Sequence, residues 1–128
     1  MSAHGTFHLN EQMTRDVGRA KAFYQDVIGW TCEGMPMAHE GGRTYWIAMM
    51  DGQSVAGMFD ISGAEFEGVP VGWMPYLAVD DVDARVGKAV KAGAQLMRPI
   101  FDVPNVGRIA ILREPGGAGI GWMTPVAR

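Results

Sequence analysis

The chain repeats itself. Asp16-Val17 recurs as Asp81-Val82, 65 positions later, and Gly29 recurs as Gly93, 64 positions later, in a sequence of 128 residues. Around each pair the pattern is the same: an alternating stretch, an acidic residue, then an apolar stripe at helical spacing closed by a glycine. In the second copy Met74, Tyr76 and Ala78 alternate with Pro75, Leu77 and Val79, which is the period of a strand. Asp80 or Asp81 can cap the helix that follows. Val82, Val86, Ala89 and Val90 fall at helical spacing, and Gly93 can take the left-handed conformation that ends it. In the first copy residues 7–14 read as a strand and Thr14 or Asp16 as the cap. Val17, Ala20, Phe23, Tyr24, Val27 and Ile28 form the stripe, and Gly29 closes it. Such a repeat commits the chain to two copies of one module.

Turn chemistry supplies the rest of each module. After the first helix, residues 30–33 predict a short strand, with turns at Gly34-Met35-Pro36-Met37 and Glu40-Gly41-Gly42. Residues 44–50 are rich in strand formers, Asp51-Gly52 is a hairpin signal, and residues 53–59 are the returning strand. Residues 60–72 read as a solvated linker, with a mobile flap over a site as the alternative. In the second copy residues 95–99 predict a short strand, Pro104-Asn105-Val106-Gly107 a turn and residues 108–112 a strand. Glu114-Pro115-Gly116-Gly117 then turns the chain into a last strand over residues 118–124. Each copy is βαβββ. The expectation is an α+β fold in one domain, 1–128: module 1 about 6–60, linker about 61–72, module 2 about 73–126. The two modules would form a curved eight-stranded mixed sheet, with the helices outside and a concave cleft within.

A chain of this length buries roughly 65–70% of its unfolded surface, enough for a core without staples. The single cysteine, Cys32, excludes an intrachain disulfide and a multi-cysteine metal site, and makes a reducing compartment, the cytoplasm, the natural setting. The N-terminal residues carry no export signal, and no apolar run approaches the ~20 residues that span a bilayer. Net charge is −3 and the 11 basic residues are scattered, so a nucleic-acid backbone finds no electrostatic footprint. The ten methionines are flexible apolar fillers, suited to a core or to the lining of an irregular cavity.

With these elements in place the sequence resembles the vicinal oxygen chelate superfamily of glyoxalases, bleomycin-resistance proteins and extradiol dioxygenases. The resemblance covers nearly the whole chain. It rests on Asp16-Val17 through Ala22-Phe23-Tyr24, on Val27-Ile28-Gly29-Trp30, on residues 73–84 and on Glu114-Pro115-Gly116-Gly117-Ala118. The combination of Trp73, Pro75 and Tyr76 is similar to a glyoxalase-like subgroup. The resemblance implies one metal ligand, usually His or Glu, from the first and one from the fourth strand of each copy. Counting from the helix, the hairpin and the Pro-Gly-Gly turn places these at Leu9, Gly57, Met74 and Gly121, none of which can bind a divalent cation. A slip of one residue would bring His8 to the first-strand position but Trp73 to its counterpart, and His4, His8 and His39 all lie in the first copy. A member without metal or other cofactor is expected.

On this register the ligand-contacting set is Leu9, Glu11 and Met13, Gly57 and Phe59, Met74 and Tyr76, Gly121 and Met123. Glu11 among apolar neighbours would have a raised pKa, which suits a general base; the alternative is a solvated strand-end carboxylate. Tyr76 can offer its hydroxyl to a ligand oxygen, or serve as a core aromatic. His8 falls on the opposite face and reads as structural, His39-Glu40 as a solvated turn, and Cys32 has no assignable base. Gly116-Gly117 is a turn between strands, not a phosphate loop. The resemblance implies a protein that binds a small organic molecule in the cleft. The alternative is a metal-independent lyase, isomerase or epimerase, in which Glu11 abstracts a proton next to a carbonyl and Tyr76 steadies the enolate oxygen. A metal-dependent glyoxalase or dioxygenase comes last. The resemblance also implies a homodimer.

Overall fold

Two acidic residues start the two helices, as their positions in the repeat require. The Asp16 carboxylate accepts a hydrogen bond from the Arg19 amide at 3.0 Å and opens helix α1 (Val17–Val27). The Asp81 carboxylate accepts from the Ala84 amide at 3.1 Å and opens helix α2 (Val82–Lys91). Gly29 and Gly93 follow them with φ of 94° and 104°, conformations that cost a residue with a β-carbon. The computed structural model describes residues 2–37 and 43–126. The predicted turn at Glu40-Gly41-Gly42 and the His39-Glu40 pair lie outside them. The chain divides into two compact units, residues 9–73 and residues 1–8 with 74–128.

In the unit of residues 9–73, strands β1 (Phe7–Thr14), β2 (Thr31–Met37), β3 (Arg43–Met50) and β4 (Gln53–Asp60) follow the order β2-β3-β4-β1. β3 and β4 are a hairpin whose Asp51-Gly52 turn has both φ values positive, at 51° and 77°. β4 returns parallel to β1, with Glu11 opposite Gly57 and Met13 opposite Phe59. Residues 34–37 are not the predicted turn. They continue β2, paired with β3 from Thr31 opposite Met49 to Met37 opposite Arg43. β2 ends the strand order, where a proline such as Pro36 costs no ladder bond on its outer side. Gly34 leaves room for Trp46, whose ring would meet an added β-carbon at 3.0 Å. Under α1 lie Ala48, Ala56 and Met58, all buried. Lys21 sets its ammonium 3.2 Å from the centre of the Trp46 ring, and Tyr24 stacks on Trp30 at 4.5 Å.

Residues 61–72 are mostly exposed, as their composition suggests, but they are tied to the strands at several points. Ile61 is wholly buried and its amide donates to the Thr14 carbonyl at 2.9 Å. A short 3-10 turn (Ala64–Phe66) follows. Arg15 donates to the carbonyls of Phe66 and Val69 at 3.2 and 2.6 Å. Arg43 donates to the Asp60 carbonyl at 3.1 Å, pairs with Glu65, and sets its guanidinium 4.8 Å from the centre of the Phe66 ring. Two arginines thus hold a segment whose own residues carry too little apolar surface to hold it.

The other unit contains β5 (Gly72–Ala78) from its Met74 onward, β6 (Gln95–Leu96), β7 (Phe101–Val103), β8 (Gly107–Arg113) and β9 (Gly119–Pro125). β9 runs parallel to β5 and antiparallel to β8, and β6 and β7 both pair with β8. Thr6, just before β1, lies beside β5 and accepts from the Ala78 amide at 2.8 Å. Val79, Val82, Val86, Ala110, Leu112 and Ile120 make the core beneath α2. β7 was not legible: three residues are too few for alternation to register, and β6 stops three residues before the predicted proline end. The fold is α+β with a mixed sheet, as predicted, but with nine strands among the described residues in place of eight. Among the described residues no helix is long and apolar enough to cross a membrane.

Candidate functional site

The internal register sets the geometry. Glu11 stands opposite Gly57 on the parallel pair β1–β4, and Tyr76 stands opposite Gly121 on the parallel pair β5–β9. Glu11 and Tyr76 are therefore equivalent positions of the two copies, as are Gly57 and Gly121. Leu9 and Met74 lie one pleat earlier on the same faces. Each predicted ligand-contacting residue belongs to one of these two faces: Leu9, Glu11, Met13, Gly57 and Phe59 in one unit, and Met74, Tyr76, Gly121 and Met123 in the other.

Glu11 is 8% exposed and carries the one buried carboxylate among the described residues. It is not a solvated strand-end group. The Tyr45 hydroxyl donates to its Oε2 at 2.6 Å. Tyr45 reaches it because Gly57 has no side chain: an added β-carbon there would overlap the phenol oxygen. Tyr45 pairs with Met35 on one side of β3. Its ring lies 6.4 Å from that of Phe59, which in turn meets Phe66 edge-on at 5.4 Å. The same device recurs in the other unit, where the Tyr76 ring occupies the space that a β-carbon on Gly121 would need. Tyr76 is 5% exposed and Met123 1%.

Tyr45 is the site residue missed in the sequence. A glycine in the interior of a strand marks a close approach by some other group, and Gly57, on the strand returning from the one that carries Tyr45 and Trp46, was the available signal. Phe66 was hidden in the same way, since only the arginine clamps bring residues 61–69 onto Phe59.

The other candidates are accounted for locally. His8 Nδ1 lies 2.9 Å from the Ser2 hydroxyl, and His4 Nδ1 accepts from the Asp80 amide at 3.0 Å. Burial pushes the Cys32 thiol up, with the Lys21 charge acting against it, so the thiolate that a nucleophile requires is disfavoured. An open depression of about 330 Å³ lies between the end of β1 and α1, lined by Gln12, Thr14, Asp16, Arg19, Phe23 and Tyr24 among others. Gln12 and Thr14 alternate with Glu11 and Met13, so it is on the opposite face from Glu11.

The metal ligands that the family resemblance implies do not fit these residues. Leu9 offers no donor and Met74 a soft thioether alone. At Gly57 and Gly121 the volume a ligand would fill belongs to a phenol ring. Among the described residues no three His, Cys, Asp or Glu gather where they could hold one ion.

Residues 6–121 match the family described as the Glyoxalase/Bleomycin resistance protein/Dioxygenase superfamily. The chain is 38% identical over 117 residues to the protein named "Putative glyoxylase CFP32" of Mycobacterium tuberculosis, covering 91% of this chain and 44% of that protein. It is 31% identical over 114 residues to the anthracycline biosynthesis protein DnrV of Streptomyces peucetius, covering 80% of this chain and 41% of that one. The chain thus spans less than half the length of these relatives. Its fold is similar to that of methylmalonyl-CoA epimerase from Mycobacterium tuberculosis, with a TM-score of 0.66 at 17% identity over 99% of this chain and 94% of that one. The duplicated module, its order of elements and the match over residues 6–121 agree: the chain belongs to the Glyoxalase/Bleomycin resistance protein/Dioxygenase superfamily.

Proposed function

We propose that the chain binds a small organic molecule against the face carrying Leu9, Glu11, Met13, Gly57 and Phe59, without a metal. The observation that supports this reading is Glu11. A carboxylate 8% exposed, between Leu9 and Met13 on one side of its strand, is costly to folding, and a ligand is the simplest reason to keep it. Its hydrogen bond from Tyr45 holds one oxygen in place. A ligand with a hydroxyl, amide or acidic C–H would meet a fixed acceptor.

A second reading is favoured by the same carboxylate. Glu11 would act as a general base on a carbon acid next to a carbonyl, in a metal-independent epimerase, isomerase or lyase. The fold-level likeness to an epimerase is in keeping with it.

The test begins with a thermal-shift screen of α-keto acids, thiol adducts, acyl thioesters and planar aromatic compounds. A ligand at 100 times its dissociation constant stabilises the native state by about 2.7 kcal/mol. Glu11→Gln is then measured against the hit. A binding protein should lose about 1–3 kcal/mol of affinity. A carbon-acid enzyme should lose roughly 10²–10⁴ in turnover, read by proton exchange into deuterated solvent, with binding little changed. A variant equal to wild type in both would remove Glu11 from the site.

A further inference from the structure

We propose that Tyr45 is the positioning residue of this site, holding the Glu11 side chain in one orientation and in its ionised form through the hydrogen bond that Gly57 makes room for. The proposal rests on the reading of Glu11 as the polar group of the site, and it assigns a role to a residue outside the predicted set.

Tyr45 does not sit opposite Glu11. The partner of Glu11 is Gly57 and that of Gly57 in β3 is Ile47, two residues beyond Tyr45, whose ring lies 6.4 Å from that of Phe59. The phenol therefore reaches diagonally across β4, over the one position in that stretch that has no side chain. Any larger residue at position 57 would stand in its path. The result is a donor at 2.6 Å on Oε2 of a nearly buried carboxylate. Burial favours the neutral acid, whereas a donor aimed at the carboxylate favours the anion. A phenol donates readily but keeps its own proton at neutral pH, so the pair is an anion beside a neutral donor.

The remaining neighbours on this face follow from the register. β1 brings Leu9 and Met13 and β4 brings Gly57 and Phe59, none of which titrates. β3 brings Arg43 and Ile47 beside Tyr45, and β2 brings Glu33 and Met35. Arg43 is engaged with Asp60 and Glu65, and Glu33 is exposed at the strand beyond β3. Tyr45 donates a hydrogen bond to the Glu11 carboxylate, and its removal should be felt as proton affinity.

The experiment is a carbon-13 titration of the glutamate side-chain carboxyls in the full chain, with the Glu11 resonance identified by its loss in Glu11→Gln. Tyr45→Phe keeps the ring and removes the donor. The apparent pKa of Glu11 should rise by about one unit or more, a tenfold change in proton affinity. Gly57→Ala leaves Tyr45 unchanged but blocks its path, and should raise the same pKa in the same direction. This second variant decides the matter if Tyr45→Phe fails to fold. A folded Tyr45→Phe or Gly57→Ala in which Glu11 titrates as in wild type would overturn the proposal, because a merely structural tyrosine would not move that value. Failure of the underlying reading looks different: Glu11→Gln would bind the screened ligand as wild type does, while the shift caused by Tyr45→Phe would persist.

Discussion

Tyr76 lies with its ring against the bare backbone of Gly121, its partner across the parallel pair β5–β9. A β-carbon on Gly121 would overlap two ring carbons, and Tyr76 is 5% exposed with little room to turn aside. Gly121→Ala should therefore destabilise the protein by about 1–3 kcal/mol, the usual cost of overfilling a packed interior. Urea denaturation would show this as a lower midpoint with an unchanged slope. A midpoint equal to wild type would mean that the ring moves freely.

Arg15 is the simpler of the two clamps on residues 61–69, since it holds the segment through the carbonyls of Phe66 and Val69 alone. Arg15→Ala should lower the local opening free energy by about 1 kcal/mol, which speeds amide exchange roughly fivefold. Hydrogen exchange should rise at Phe66, Glu67 and Val69, whose amides close the 3-10 turn. The buried amide of Ile61 should be unaffected. Uniform acceleration over the whole chain would instead indicate global destabilisation.

Acid sensitivity should come partly from the exposed ion pairs of α2. The Arg85 guanidinium, bonded to both oxygens of Asp80, holds that carboxyl well below the usual range, and Arg108 does the same for Asp83. A carboxyl with a lower pKa in the folded than in the unfolded chain adds stability above its unfolded value, near pH 4. That stability is lost as pH falls through the folded value. Urea midpoints measured from pH 5 down to pH 2 should fall less steeply for Asp83→Asn than for wild type. The difference should shrink in high salt, because both pairs are exposed. Parallel curves would exclude Asp83 as a contributor.

A homodimer is proposed on the strength of α1. In its apolar stripe Phe23, Val27 and Ile28 are 55%, 59% and 51% exposed, beside the stacked Tyr24 and Trp30. Sedimentation at micromolar concentration should give twice the 13.9 kDa of one chain. Val27→Asp, which charges the middle of the exposed stripe, should return the mass of a single chain. A wild-type monomer would leave the stripe without this partner.

The sequence by itself determined the duplication, the position of both helices and the faces of the strands before them. These are local properties. An aspartate caps the helix within three residues of itself, glycine can take a positive φ at no steric cost, and period-2 alternation assigns faces along one strand. The offset between the copies then carried Glu11 onto Tyr76 and Gly57 onto Gly121. What only the tertiary structure decided is which distant groups use the space those residues leave. Gly57 appeared in the sequence as a missing metal ligand. In the fold it is the gap through which Tyr45, from a different strand, reaches Glu11. Residues 34–37 carried the composition of a turn, and pairing with β3 at an edge that tolerates proline made them strand. Residues 61–69 carried the composition of a loop, and Arg15 and Arg43 from elsewhere in the chain fixed them. In each case the deciding interaction joins residues remote in sequence, and a pattern read along the chain holds no record of which remote side chain arrives.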